Sequence, residues 1–176
     1  MKDRFTKNPT AHDHWKKGDE LFEQKRLGAS IEYFERAIKI DPNFAEAYNS
    51  MGIAFYEGKD YIRALECYKR AVMMKPDFME ALNNLGTAFL FLERYPDAAM
   101  AYEKVLEMHP DFAEAHNNLG LAYEQLHRTD DAMKHYRKFI ELWKGIRRYK
   151  LAAQERVDRL EQGRKSGVNE PIRVSE

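Results

Sequence analysis

The sequence holds a single cysteine, Cys67, so no disulfide can close within its 176 residues. A lone thiol suits a reducing compartment, and a cytoplasmic setting is expected. There is no excess charge of either sign. The 29 Lys+Arg balance 29 Asp+Glu, which argues against a protein whose main task is to coat nucleic acid. No run of about 18 apolar residues is present, and a mean hydropathy of −0.73 leaves no candidate membrane span. The N-terminus, Met1-Lys2-Asp3-Arg4-Phe5, lacks the apolar stretch of a secretory leader. No segment alternates apolar and polar residues, so no sheet is expected. There is enough apolar material for a core, at 44% of residues, and 12% are aromatic. Disorder throughout is therefore excluded.

The motifs of common enzyme sites are also missing. No glycine-rich phosphate loop, HExxH or CxxC pattern occurs. His12 and His14 are two apart, a poor pair on a helix, and His109, His127 and His135 have no neighbours at metal-ligand spacing. His116 is expected to pack in the core. Cys67 is expected to behave as a small buried hydrophobe. Neither a metal, a cofactor, a small-molecule substrate nor an enzymatic activity is expected.

What the sequence has instead is repetition. Asp41-Pro42-Asn43-Phe44, Lys75-Pro76-Asp77-Phe78 and His109-Pro110-Asp111-Phe112 follow one another at 34-residue intervals. Glycines keep the same period at Gly18, Gly52, Gly86 and Gly120, and so do rings at Phe34, Tyr68, Tyr102 and Tyr136. Between these marks the apolar residues follow helical spacing. One stripe starts at Ala45 and breaks at Glu57-Gly58-Lys59-Asp60; another starts at Tyr61 and stops before Pro76. Each unit therefore reads as helix, turn, helix and a proline-marked turn.

A 34-residue helix–turn–helix unit with these residues resembles the tetratricopeptide repeat (TPR) family. The resemblance implies an all-α, right-handed α–α superhelix. It implies repeats at 11–44, 45–78, 79–112 and 113–146, each with its small residue at place 8 and its aromatic at place 24. An N-terminal arm over 1–10, a capping helix over 147–162 and a flexible tail over 163–176 complete the layout. His14 and Lys17 give the first repeat a polar start. In the fourth, Lys144 stands in place of the proline and Phe139 in place of a small residue, so the last pair is expected to close differently. The stripe Phe139, Leu142, Trp143, Ile146, Tyr149, Ala153, Val157, Leu160 runs onward. Whether its helix is continuous through Gly145 stays open, since a mid-helix glycine costs only about 1 kcal/mol.

In TPR proteins the first helix of each repeat lines a concave groove. The residues expected to bind a partner there are Asn49, Ser50, Ile53, Tyr56, Glu80, Asn83, Asn84, Thr87, Phe91, Glu114, Asn117, Asn118 and Leu121. Asparagine both donates and accepts, so amides at repeat spacing suit the backbone of an extended peptide. Glu46, Glu80 and Glu114 also sit in first helical turns, where the helix dipole favours them. The family's chaperone-tail clamp is not matched: Glu80 and Asn84 occupy the places of its third-repeat cations, and Asp19 that of an asparagine. The Asn-Asn-Leu-Gly units at 83–86 and 117–120 are more similar to the TPR portion of protein O-glycosylating transferases. Residues 137–165 carry ten cations against four carboxylates, and Trp143, Arg147, Arg148 and Lys150 form a possible second surface for an acidic protein, a nucleic acid or an anionic membrane. The expected function is a non-enzymatic adapter or assembly factor that captures a peptide or partner helix. Self-assembly through repeat ends or the last helix, as a homo-oligomer, is the alternative; nucleic acid is the less expected partner.

Overall fold

The computed structural model describes residues 9–166. The expected arm at 1–10 and tail at 163–176 lie largely outside these residues. Among the described residues the secondary structure is entirely helical: α1 (Ala11–Glu23), α2 (Leu27–Ile40), α3 (Ala45–Glu57), α4 (Tyr61–Met74), α5 (Met79–Phe91), α6 (Tyr95–Met108), α7 (Ala113–Gln125), α8 (Thr129–Leu142) and α9 (Arg147–Ser166). The chain divides into two compact units, the first ending at Asn84 and the second beginning at Leu85, inside α5.

The helices pair as hairpins because the glycine at place 8 admits the ring at place 24. A Cβ built on Gly18 would lie 2.6 Å from Phe34, on Gly52 2.6 Å from Tyr68, on Gly86 2.7 Å from Tyr102 and on Gly120 2.8 Å from Tyr136. Phe34, Tyr102 and Tyr136 are wholly buried. Burying such a side chain contributes about 1.5–3 kcal/mol. Alanines line the remaining close approaches: Ala37, Ala47, Ala64 and Ala71 in the first unit, and Ala98, Ala115, Ala122 and Ala132 in the second, all without exposed surface.

Each first helix ends in the same way. Lys25, Lys59, Glu93 and His127 adopt positive φ between 55° and 62°. The next residue's N–H reaches back to close the helix, as Asp60 to the Phe55 carbonyl at 2.9 Å and Arg128 to that of Tyr123 at 2.8 Å. The left-handed residue of the second turn is Lys59 rather than Gly58, whose φ is −76°. A guanidinium then covers the ring at place 11: Arg63 over Phe55 at 4.4 Å, Arg94 over Phe89 at 4.7 Å and Arg128 over Tyr123 at 4.1 Å. Arg94 and Arg128 come from the N-cap and pair with Asp97 and Asp131 on the helix that follows. In the second turn the order is reversed, with Asp60 at the cap and Arg63 third. The same stacked cation is reached from two sequence positions.

The fourth hairpin closes without a proline. α8 stops at Leu142 and α9 starts at Arg147, so the helix is interrupted at Gly145. Trp143 Nε1–H donates to the Ile146 carbonyl at 3.1 Å, and the indole lies so close over Gly145 that a Cβ there would be 2.6 Å from it. α9 passes through Gly163, the expected start of the tail, to Ser166. Arg164 and Lys165 in its last turn suit the negative end of the helix dipole, and Arg164 pairs with Asp130 at 2.8 Å. At the other end Thr10 and Asp13 form a reciprocal capping box on α1.

Glycine has opposite effects at two positions. Gly52→Ala forces a methyl into Tyr68 and the nearby Cys67 Cβ, and should destabilise by about 2 kcal/mol despite alanine's better helix propensity. Gly28 lies in α2 with nothing within 4 Å of a built Cβ, so Gly28→Ala should stabilise by up to about 1 kcal/mol. Urea unfolding midpoints of the two variants check both signs.

Candidate functional site

The first helices carry the residues expected to meet a partner, and the structure separates them by depth. In the first unit, Trp15 Nε1–H donates to Ser50 Oγ at 3.0 Å. Asn84 Nδ2 donates to Asn49 Oδ1 at 3.1 Å, and Asn49 Nδ2 donates to Glu80 Oε1 at 3.0 Å. A place-5 side chain thus reaches place 6 of the next first helix, twice in succession. Asn49 is only 3% exposed. It is a brace between helices and not, as the sequence suggests, a residue open to a ligand: its amide donor and acceptor both serve neighbours. Ser50, Ile53, Tyr56, Asn83 and Asn84 are half-buried and Glu80 is exposed. Glu46 pairs with Lys75 at 3.2 Å.

In the second unit, Thr87, Asn117, Asn118 and Leu121 are half-buried, while Glu114 and Phe91 are exposed, Phe91 by 55%. Thr87 Oγ1 shares a 2.9 Å hydrogen bond with the Tyr102 hydroxyl. Asn117 Nδ2 donates sideways to Asn118 Oδ1 at 3.3 Å. Of the second surface, Arg147 and Arg148 are exposed and Lys150 and Trp143 are half-buried. Trp143 packs against Phe139 in a tilted arrangement at 5.2 Å and meets Tyr149 edge-on at 5.8 Å, so its ring serves the α8–α9 corner.

Two polar clusters escaped the sequence reading. The Glu124 side chain is 1% exposed and takes Tyr136 Oη–H at 2.6 Å, Arg156 at 3.0 Å and Arg159 at 2.7 Å. It ties α9 to the last hairpin. His116 and His135 meet through their Nδ1 atoms at 2.9 Å, and His116 Nε2 lies 2.9 Å from the Pro110 carbonyl. That carbonyl only accepts, so His116 donates from Nε2 and, in the neutral pair, accepts at Nδ1 from His135. The pairing of places 4 and 23 was the available signal, since His14 and Tyr33 at those places also touch, at 5.8 Å. Burial, aided by His116 and Lys134, pushes the His135 pKa down to about 4. Burial likewise pushes the Cys67 thiol up to about 12, which keeps it protonated and unreactive at neutral pH. Among the described residues no group of three or more His, Cys, Asp or Glu is placed to hold a metal ion. No helix among them is long and apolar enough to cross a membrane.

These hairpins, with a small residue facing a ring once in every repeat, define a class of helical repeat. Family models described as tetratricopeptide repeat or TPR repeat match residues 18–58, 45–78 and 83–145. The chain carries tetratricopeptide repeats over more than half of its length. No curated protein matches the sequence. Among solved structures, MamA residues 41 to the end from Desulfovibrio magneticus RS-1 superposes with a TM-score of 0.75 at 20% identity, over 89% of this chain and 96% of that one. YrrB, described as a TPR protein with an unusual peptide-binding site, gives 0.79 at 17% identity, over 88% and 78%. The first TPR of Spaghetti (RPAP3), bound to the HSP90 peptide SRMEEVD, gives 0.66 at 24% identity, over 67% and 94%. At these identities the likeness is one of fold: an all-α TPR solenoid, as the sequence indicates.

Two measurements test the clusters. Glu124→Ala leaves Arg156 and Arg159 without their shared carboxylate and should cost about 1–3 kcal/mol, with faster amide exchange along α9. His135 resists protonation when folded and accepts it near pH 6.5 when unfolded. Its contribution is therefore full above about 6.5, falls as the pH falls, and is lost below about 4. Relative to His135→Gln, the native chain should lose stability across that window in urea titrations at stepped pH.

Proposed function

We propose that this chain is a non-catalytic interaction module, an adapter or assembly factor, built of four TPR units. It captures an extended peptide or a partner helix on its first-helix faces. The observation that carries this reading is the half-exposed amides, Asn84 in the first unit and the Asn117–Asn118 pair in the second, each with hydrogen-bonding capacity beyond what its neighbours take. Apolar anchors accompany it: Ile53 and Tyr56 in the first unit, Phe91 and Leu121 in the second. Amides bind a backbone with little regard to its side chains, and the apolar neighbours add selectivity. Glu80 and Glu114 favour a segment with some positive charge.

Peptide binding by structural neighbours supports the reading in kind. The residues at the clamp places point away from the SRMEEVD-type ligand of the Spaghetti domain, because Glu80 and Asn84 stand where that mode of binding needs cations. The Asn-Asn-Leu-Gly units keep the likeness to the transferase TPR portions at the level of amide pairs. A cytoplasmic location accords with the lone buried thiol. Self-assembly through α9 is the second reading, since Tyr149 and Leu151 are 43% and 50% exposed there.

Affinity capture from the source cell's lysate tests the proposal, using the chain beside an Asn83, Asn84, Asn117, Asn118→Ala variant of equal helicity. A partner held by the chain and lost by the variant is expected, with light scattering giving a monomeric mass for the chain alone. Equal capture by both would overturn the first-helix reading. Recovery of the chain alone, at multimeric mass, would put self-assembly first.

A further inference from the structure

The first helices begin at Ala11, Ala45, Met79 and Ala113, and α9 begins at Arg147, the next step of the same interval. It is in phase with the first helices of the repeats. Ile146 occupies the place of Phe44, Phe78 and Phe112. Its carbonyl accepts from the Tyr149 N–H at 3.1 Å, as that of Phe44 accepts from Ala47 at 3.1 Å. α9 packs on α8 as α7 packs on α6. Its place-11 residue, Val157, is buried like Leu21, Phe55, Phe89 and Tyr123 at that place. The packing places 8 and 10 differ, with Arg156 at place 10 where the three preceding first helices have alanine. Gln154 stands where the repeats have glycine, and it is exposed, because no second helix among the described residues follows to press a ring there.

We infer that α9 is the first helix of an incomplete fifth repeat, and that its N-terminal half supplies a basic rung which takes the acidic, apolar-containing part of the bound segment. The inference rests on the peptide-binding reading and deepens it. On α9 the ligand-facing places 2 and 6 are Arg148 and Ala152, with Leu151 beside them at place 5, all exposed. Between Glu141 and Glu155 the chain has four cations and no carboxylate: Lys144, Arg147, Arg148 and Lys150. None of the four is ion-paired among the described residues. Leu151 and Ile146 are 50% and 62% exposed beside them. Glu155, at place 9, ends the basic stretch.

The brace pattern explains why this rung adjoins a receptive one. Trp15 and Asn49 each reach the place-6 residue of the next first helix. The residue at that place of α9 is Ala152, which has no polar side chain, and Asn117 bonds to Asn118 in its own helix. Its amide is not consumed by the next helix, so a backbone-binding pair stands next to a cationic, apolar rung. That juxtaposition favours a peptide over a lipid surface, for which the amides have no use.

Selection from a phage-displayed library of short random peptides, with the full chain as bait, tests the assignment. Enriched sequences should combine an apolar residue with adjacent Asp or Glu. By fluorescence anisotropy the leading peptide should bind about tenfold more weakly to an Arg147→Glu, Arg148→Glu variant and lose affinity as salt rises. It should also weaken with Asn117→Ala, Asn118→Ala. Enriched peptides without acidic residues, or an acidic peptide indifferent to the charge reversal, would overturn the basic rung and leave the peptide-binding face standing. No enrichment at all would sink both. Binding of the full chain to phosphatidylcholine–phosphatidylserine vesicles, lost on charge reversal and with no acidic enrichment, would assign the cations to a membrane and overturn the inference.

Discussion

No side chain fits where Gly18, Gly52, Gly86 and Gly120 stand, because an aromatic ring from the second helix fills the space to within 2.6–2.8 Å of where a Cβ would be. Much follows from that contact. It draws the two helices of a hairpin close together, which in turn requires the alanines along the same approach. It fixes the rotation of each first helix, so that one stripe faces inward and another is left for solvent or ligand. A helix in the interior of a protein ordinarily loses stability by carrying glycine. Here the ring it admits is buried to 0–2%, and the burial outweighs the lost propensity. α9 marks the limit of the rule. Among the described residues no second helix lies against it, and the place is taken by Gln154.

The same rotation decides which polar residues remain for binding. Places 5 and 6 are adjacent on a helix, about 100° apart, and the fold turns one toward the next first helix and the other toward the open side. Asn49 is spent inside as a brace, while Asn84 and Asn118 keep part of their amide surface. A buried brace and a half-exposed amide are thus made of the same residue type one position apart. In the first unit the braces hold successive first helices in register. An amide that stays exposed therefore returns at the same place of each first helix that carries one, the kind of repetition a peptide backbone can use.

The helix pairs were legible in the sequence because they rest on marks of fixed spacing: a proline turn, a glycine and a ring in each repeat. Binding-face residues were legible as a stripe but not as depths, and Asn49 shows the difference. What stayed hidden was polar pairing over longer range. Nothing local to Glu124 marks its partners, Arg156 and Arg159, as lying beyond a whole intervening helix. His116 and His135 looked solitary because their contact crosses a hairpin. Lys59 was hidden by Gly58, an obvious turn residue that leaves the left-handed conformation to its neighbour. A cation over each place-11 ring was equally illegible, because Arg63 reaches it from the third helical position while Arg94 and Arg128 reach it from the cap.

Glu124 shows that one hairpin can dictate the helix that follows it. At place 12 the earlier first helices have Phe22, Tyr56 and Leu90; the last has a carboxylate, and burying one is costly unless its lone pairs are met. They are met by Tyr136, the ring pressed on Gly120, and by arginines at places 10 and 13 of α9. Place 10 of the preceding three first helices holds Ala54, Ala88 and Ala122. A further repeat of that ordinary kind would bring a methyl group to the carboxylate and leave it stranded. The α7–α8 hairpin therefore suits, as its successor, a helix with arginines at those places. The same requirement accounts for two of the cations of α9, Arg156 and Arg159, so part of that helix's basic character is a structural need.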